Sequence, residues 1–320
     1  MVDRTPLISV IIPTYNSAPF VERCLDSVFN QSLKDIELIA VDDMSTDDTV
    51  QILNTYSHKN DTMKVVFSEK KGLPGGARNL GLDRATGKYI SFIDSDDWID
   101  SNFLHYMVDS IESSRACVSV CGVKREYGNT KSSSVRYSYS AENFIDGRFA
   151  LSLLSRALDQ DVSISSIVCN KLFRADFLNA SGIRFIEDCY NEDDAFMFEV
   201  FARASRVSLT GRTYYHLFQR RDSASRNFGR KHINDLFLAF SKIRDQLVAR
   251  NQFETFKLYY YAFFEKCLGY LIESIRLAEQ NDEAVRNHFK YAFSICRTAI
   301  SIEEFVDYCG SKRIEEFFSR

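Results

Sequence analysis

Residues 7–41, LISVIIPTYNSAPFVERCLDSVFNQSLKDIELIAV, decide how this chain folds. Leu7 to Ile12 is a short, β-rich apolar run stopped by Pro13. Apolar residues then recur at Phe20, Cys24, Leu25, Val28 and Phe29, the spacing of one helix face, with Ser17 as the expected cap and Pro19 in the first turn. Glu37 to Val41 returns to the strand pattern. The alternation continues downstream: a helix capped by Ser45 or Thr46, a strand over 64–67, a helix opened by Gly75-Gly76 and ending at Ala85, and a strand over 89–93. Strands that read as unbroken apolar runs, each separated from the next by a helix, imply a parallel sheet covered on both faces. The expected class is therefore α/β, with a Rossmann-like, mostly parallel sheet at the front of the chain.

Working outward, residues 102–113 are spaced as an amphipathic helix and 116–123 as a further strand. The stretch GNTKSSSVRYSYS at 128–140 is polar and aperiodic, which predicts a surface loop. From about residue 231 strand signals vanish, and helical spacing runs through Leu236, Phe240, Ile243 and Leu247, then over 256–275 and 285–300.

Composition excludes several classes. With 45% hydrophobic and 26% charged residues the 320-residue chain is neither disordered nor fibrous. Its longest strictly apolar run, Leu258 to Phe264, is far short of the ~20 residues a membrane span needs, and the first 30 residues lack a signal-peptide pattern. A cytoplasmic protein is expected. The eight cysteines form no CxxC pair, so buried thiols are expected rather than zinc or disulfides. Net charge is −4, but unevenly spread: residues 1–100 hold 10 basic and 16 acidic groups, and 201–250 hold 11 basic and 3 acidic. The acidic front half argues against nucleic acid as a partner.

In open α/β sheets the ligand crevice lies beyond the carboxyl ends of the strands. Here those ends carry Pro13-Thr14-Tyr15-Asn16, Asp42-Asp43 and Asp94-Ser95-Asp96-Asp97. Clustered aspartates suit a divalent cation, although Asp42, Asp43, Asp47 and Asp48 could equally cap the following helix. Gly72 to Gly76 is not GxGxxG, and Gly81 to Lys88 has one residue too many for a P-loop, with Tyr89 where Ser or Thr is required. What remains is the DxD of Asp94 and Asp96, whose carboxylates could hold Mn²⁺ or Mg²⁺ against a nucleotide diphosphate.

Four blocks in order, SVIIPTYN from Ser9, VDDMSTDDT from Val41, GARNLGL from Gly76 and ATGKYISFIDSDD from Ala85, resemble the inverting glycosyltransferases of family 2, which have the GT-A fold. The likeness is to the bacterial surface-polysaccharide type. It is close over about 100 residues and looser to about residue 226. It implies a GT-A domain over 1–230, with a nucleotide-binding half (1–101) and an acceptor half (102–230), followed by a helical region over 231–320. By that resemblance Pro13, Thr14 and Tyr15 line the base pocket and Asp43 accepts the uracil N3–H. Gly76, Arg78 and Asn79 would face uridine and phosphate, and Asp94 ribose or sugar hydroxyls. Asp96 would bind the metal, with Asp94 and His216 as further candidate ligands and Asp97 as a substitute for Asp96.

Transfer by single displacement also needs a base for the acceptor hydroxyl, whose own pKa is far too high. Asn191 to Phe196 (NEDDAF) resembles the family's EDxxF element and maps Asp193 to the base, with Glu192 beside it in the substrate site. Three adjacent carboxylates also suit the first turn of an exposed helix. Asn170 to Arg174 (NKLFR) resembles an acceptor-side segment in which Lys171 is structural. Tyr214-Tyr215-His216, with Arg220 and Arg221 after it, resembles a loop that closes over the diphosphate.

The expectation is a metal-dependent hexosyl- or N-acetylhexosaminyltransferase that takes a UDP-sugar donor and a glycan or lipid-linked acceptor. A nucleotide-sugar hydrolase and a non-catalytic GT-A scaffold are the rivals. Eight basic residues within 203–231, against Asp222 alone, suggest diphosphate clamping or attraction to the inner face of a membrane. The aromatic tail (Phe237, Phe240, Tyr259, Tyr260, Tyr261, Phe263, Phe264) reads either as core or as a surface for homo-oligomers or membrane.

Overall fold

The computed structural model describes residues 5–127, 133–137, 139, 143–157, 162–219, 229–278, 287 and 291. Its first third is the expected alternation: β1 (Ile8–Thr14), α1 (Val21–Phe29), β2 (Ile36–Asp42), α2 (Thr49–Lys59), β3 (Met63–Phe67), α3 (Leu73–Arg84) and β4 (Tyr89–Phe92). Every residue of β1, β2 and β4 is buried, as strands covered on both faces must be. β1 pairs in parallel with both β2 and β4, and β2 with β3. The chain thus steps outward from β1 through β2 to β3, then crosses back to lay β4 on the other side of β1. That reversal is a topological switch point, and it opens a crevice where β1, β2 and β4 end.

α3 lies close against β1. A Cβ built on Gly81 would sit 2.4 Å from the Ile11 side chain, so only glycine allows this approach.

The second third runs β5 (Trp98–Ile99), α4 (Phe103–Ser114), β6 (Val118–Val120), β7 (Val123–Tyr127), β8 (Ser133–Tyr137), β9 (Asn143–Ile145), α5 (Gly147–Ser155), β10 (Lys171–Arg174), α6 (Ala175–Ser181), α7 (Glu192–Arg203), β11 (Val207–Leu209) and β12 (Tyr215–Gln219). β10 enters the main sheet antiparallel between β4 and β6, and β11 and β9 complete the order β3-β2-β1-β4-β10-β6-β11-β9. A smaller sheet, β5-β12-β7-β8, stands beside it. The mostly parallel α/β architecture agrees with the sequence reading.

Several local expectations are corrected. Ser17 does not cap α1 through its side chain; its hydroxyl lies 2.7 Å from that of Ser95. Ser45 bonds Asp42, and it is the Asp47 carboxylate that accepts the Thr49 N–H at the start of α2. α3 begins at Leu73, ahead of the glycine pair. The run 116–123 breaks at Cys121-Gly122 into two strands belonging to different sheets. Within the polar stretch 128–140, residues 133–137 form β8, paired to β7; Ser, Val, Arg and Tyr accept an edge position without the apolar alternation that would announce it. Residues 128–132, the greater part of 285–300, and 220–228 with Arg220, Arg221 and Arg226 lie outside the described residues.

After β12 come α8 (Arg230–Ala249) and α9 (Phe253–Ala278). α8 packs on α7, and α9 packs on α5 and α8. Phe237, Phe240, Tyr260, Tyr261, Phe263 and Phe264 are buried in the same core as the sheet, with Phe240 in edge contact with Tyr260 and Phe264. The aromatic set is therefore core. Among the described residues no helix is long and apolar enough to cross a membrane.

Candidate active site

Each strand of the switch point delivers one polar cluster to the crevice. At the ends of β1 and β2, the Thr14 hydroxyl donates to Asp42, whose carboxylate also accepts the Ser45 N–H and hydroxyl at 2.9 and 2.6 Å. Asp42 is thus occupied in shaping the turn. Asp43 is buried and receives the Gly72 N–H at 2.9 Å on one oxygen and 3.2 Å on the other. A carboxylate has about four acceptor positions, so this bond fixes Asp43 and leaves it able to accept another N–H. Tyr15, after Pro13, is 43% exposed, with the Lys71 ammonium 3.8 Å above its ring.

The centre of the site is Arg78, in α3. Its side chain is only 3% exposed, yet it meets three carboxylates: Asp94 at 2.8 Å, Glu192 at 2.7 Å and Asp193 at 2.9 Å. Asp94 follows β4, while Glu192 and Asp193 open α7, so one guanidinium ties the DxD segment to the NEDDAF segment about a hundred residues further along the chain. Its five N–H donors in a planar fork permit this, where a lysine ammonium could not span it. Helix α3 can approach α7 because Gly75 has no side chain; a Cβ there would lie 2.4 Å from the Ile186 carbonyl oxygen and 3.2 Å from the Glu192 side chain.

Burial pushes the Asp193 carboxyl up to about 6 against the opposing pull of Arg78. Burial, with Asp193 as a neighbour, pushes Glu192 to about 8. Both carboxyls are thus raised, Glu192 further than Asp193, as acid–base sites commonly are. The second Asp193 oxygen accepts the Val168 N–H at 3.3 Å, and its side chain keeps 21% exposure toward the crevice. Asp194 points elsewhere and takes a bond from the Asn191 amide at 2.9 Å.

The remaining candidates divide. Asn79 brackets the backbone of Phe185, donating to its carbonyl and accepting from its N–H, both at 3.0 Å, so this amide fixes the segment ahead of α7. Gly76 lies in the first turn of α3, next to the Glu187 side chain. Asp97, considered as a substitute metal ligand, turns inward: it accepts the Tyr215 hydroxyl at 2.5 Å and the Phe218 N–H at 2.7 Å. Burial, then Asp96 and Asp94, push its carboxyl well above the usual range. His216 is bonded on both ring nitrogens. Its ring nitrogens face Glu126 at 2.8 Å and Asp100 at 3.0 Å, and the ring stacks on Trp98.

For a cation this leaves Asp96 and Asp94, both half-buried, and no cluster of three or more ligating side chains among the described residues. One or two carboxylates with phosphate and water oxygens is the usual donor set for Mg²⁺ at nucleotide sites, so these residues fit such an ion. After burial, the Asp96 and Asp94 charges add to the rise of Asp97, and a cation would relieve that part.

Sequence reasoning missed the Val168 N–H, the link from Tyr215 to Asp97, and the Arg23 guanidinium, which donates to the Asp96 carbonyl at 2.7 Å and lies 3.9 Å over Trp98. Backbone donors leave no mark in a sequence. Tyr215 was visible only as an aromatic neighbour of His216.

The comparisons with known proteins point to one family. The chain is 30% identical over 222 residues to the putative glycosyltransferase EpsH of Bacillus subtilis, covering 67% of this chain and 61% of that one. It is 29% identical over 216 residues to the poly(ribitol-phosphate) beta-N-acetylglucosaminyltransferase TarS of Staphylococcus aureus, covering 66% of this chain and 35% of TarS. The chain thus spans about three fifths of the one relative and about a third of the other. The solved structure of S. aureus TarS 1-349 in complex with UDP-GlcNAc has the same GT-A fold, with a TM-score of 0.62 at 21% identity, covering 98% of this chain and 92% of that one. Residues 9–178 match the family model for glycosyl transferase family 2, and this chain belongs to that family.

Proposed function

We propose that this protein transfers a sugar from a UDP-sugar to a hydroxyl of a cell-surface glycan with inversion at the anomeric carbon. The observation that carries the reading is the Arg78 bridge, which sets Asp94 and Asp193 on one buried cation at the mouth of the crevice. Relatives named as poly(ribitol-phosphate) glucosyl- and N-acetylglucosaminyltransferases support a hexosyl or N-acetylhexosaminyl donor and a surface polymer as acceptor.

In this account Pro13, Thr14 and Tyr15 hold the base, and Asp43, fixed by Gly72, accepts the uracil N3–H. When bound at Asp96 and Asp94, Mn²⁺ or Mg²⁺ supplies charge neutralisation for the departing diphosphate. The ionised Asp193 takes the proton of the acceptor hydroxyl as that oxygen bonds to the anomeric carbon. The bond from that carbon to UDP breaks in line, and the electron pair leaves with UDP. Arg78 keeps the base ionised near neutral pH, and turnover rises with pH through about 6 as Asp193 loses its proton. Acceptor delivery from a lipid carrier at the cytoplasmic face of a membrane, and self-association through α8 and α9, belong to the same proposal.

Asp193→Asn tests it. The amide keeps the size of the carboxylate but cannot take a proton, so turnover should fall by a factor of ~10² to 10⁴, with UDP affinity nearly unchanged. Asp194→Asn, outside the Arg78 cluster, should fall far less. An Asp193→Asn enzyme with ordinary turnover would place the base elsewhere.

A further inference from the structure

Lys171, at the start of β10, has no exposed surface. Its ammonium donates to the carbonyl oxygens of Ser165, at 2.9 Å, and Ile167, and to the Asn170 side-chain oxygen at 2.8 Å. Three donors thus meet three acceptors, all within residues 165–170. That segment has no helix or strand, yet Ser165, Val168, Cys169 and Asn170 are buried in it, so its backbone cannot turn to water for partners. The lysine supplies them. The Asn170 amide in turn donates to the Cys121 carbonyl, anchoring the segment to the main sheet. The segment reaches the site through the Val168 N–H, which donates to Asp193.

We propose that Lys171 is a positioning residue for the base: it folds residues 165–170 around its own ammonium and so aims the Val168 N–H at the second oxygen of Asp193. This rests on the reading of Asp193 as general base. With one oxygen on Arg78 and the other held from the Val168 side, the carboxylate has one orientation in which a lone pair faces the crevice.

Protonation bears on this. Burial pushes Lys171 down to about 7, opposed through space by Asp193 on α7, by Cys121 after β6 and by Cys169 in its own segment. As a neutral amine it keeps two N–H groups for three acceptors, so one bond of the segment is lost at higher pH.

The test compares the full-length wild type with Lys171→Met, measuring kcat against pH and UDP affinity by titration. The variant should lose on the order of 10- to 100-fold in kcat through misaligned chemistry. UDP affinity should hold within about twofold, since the segment bonds Asp193, on the acceptor side, whereas Asp43 is fixed by the Gly72 N–H. The acidic limb of the variant should move to higher pH, because the Val168 bond and the Lys171 charge both favour ionised Asp193. A kcat that falls with the limb unmoved, or does not fall, overturns the proposal. Should the variant not fold, the wild-type profile decides: a decline beginning near pH 7 with unchanged circular dichroism supports the role, and a flat profile to pH 9 overturns it. Asp193→Asn run in parallel separates the two levels, because turnover surviving there refutes the base reading itself.

Discussion

Replacing Arg78 by methionine removes one cation from among Asp94, Glu192 and Asp193, which stand 2.7 to 2.9 Å from it. An opposite charge at that distance typically holds a carboxyl down by 1–3 units, so Asp193 should rise from about 6 to roughly 8. At pH 7 the ionised fraction of the base would drop from about nine tenths to about one tenth, a tenfold loss of kcat from ionisation alone. Stability falls as well. Stranding buried charges by removing one partner costs about 3–5 kcal/mol, and here the carboxyls can relieve part of that by taking protons. Because the folded pKa values of Glu192 and Asp193, already above the unfolded ones, would rise further, the stability they contribute is present at low pH and lost as pH rises through the folded values. The variant should therefore approach wild type near pH 5 and fall furthest behind near pH 8. The assay is kcat at saturating UDP-sugar from pH 5 to 9, beside urea unfolding at both ends. An acidic limb that stays near pH 6 in a folded Arg78→Met enzyme would refute the claim that this guanidinium sets the base.

Three further outcomes follow from the geometry. Asp96→Ala should abolish metal-dependent UDP affinity, read by titration with and without chelator; full activity of that variant in chelator would end the metal role. His216→Gln should leave metal dependence unchanged and act only through the lost contacts to Glu126 and Asp100, so a shift in metal affinity would contradict the placement of that ring. Truncation after Arg230 removes Phe237, Phe240, Phe263 and Phe264 from a shared core and should yield aggregated protein; a soluble, folded fragment would make the tail a separable unit.

Much of this was readable from the amino acids, for reasons particular to each element. β1, β2 and β4 announced themselves because burial on both faces demands unbroken apolar runs, and that same alternation located the crevice and its aspartates. β8 was not readable: an edge strand of SSVRY needs no apolar alternation, and its polarity reads as loop. Nor did periodicity show that NKLFR would insert antiparallel between β4 and β6, since order within a sheet depends on long-range pairing. At the site, Asp94 and Asp193 were found as motif residues, but their union through Arg78 joins segments about a hundred residues apart and appears only in three dimensions. Asn79 and His216 have protein partners that their letters did not announce, for a shared reason. An amide or imidazole carries the same letter whether it faces a ligand or satisfies a neighbour, and here Phe185, Glu126 and Asp100 claim them. The basic and aromatic tail was ambiguous for a different reason: helical spacing marks a face for burial without saying against what. Lys231 illustrates the answer, since it binds Asp188 and Asp235 and so ties α8 to the segment that leads into Glu192 and Asp193.

The central claim, that this crevice moves a sugar from UDP to an acceptor hydroxyl, is tested most directly by UDP release from a panel of UDP-sugars with Mn²⁺, with and without a hydroxyl-rich polymer such as poly(ribitol phosphate). The account predicts release with one or a few donors that depends on the polymer, stops with chelator, and is matched by sugar incorporated into the polymer. Release of UDP at the same rate without any acceptor would instead mark a hydrolase, and no release or binding with any donor would contradict the account altogether.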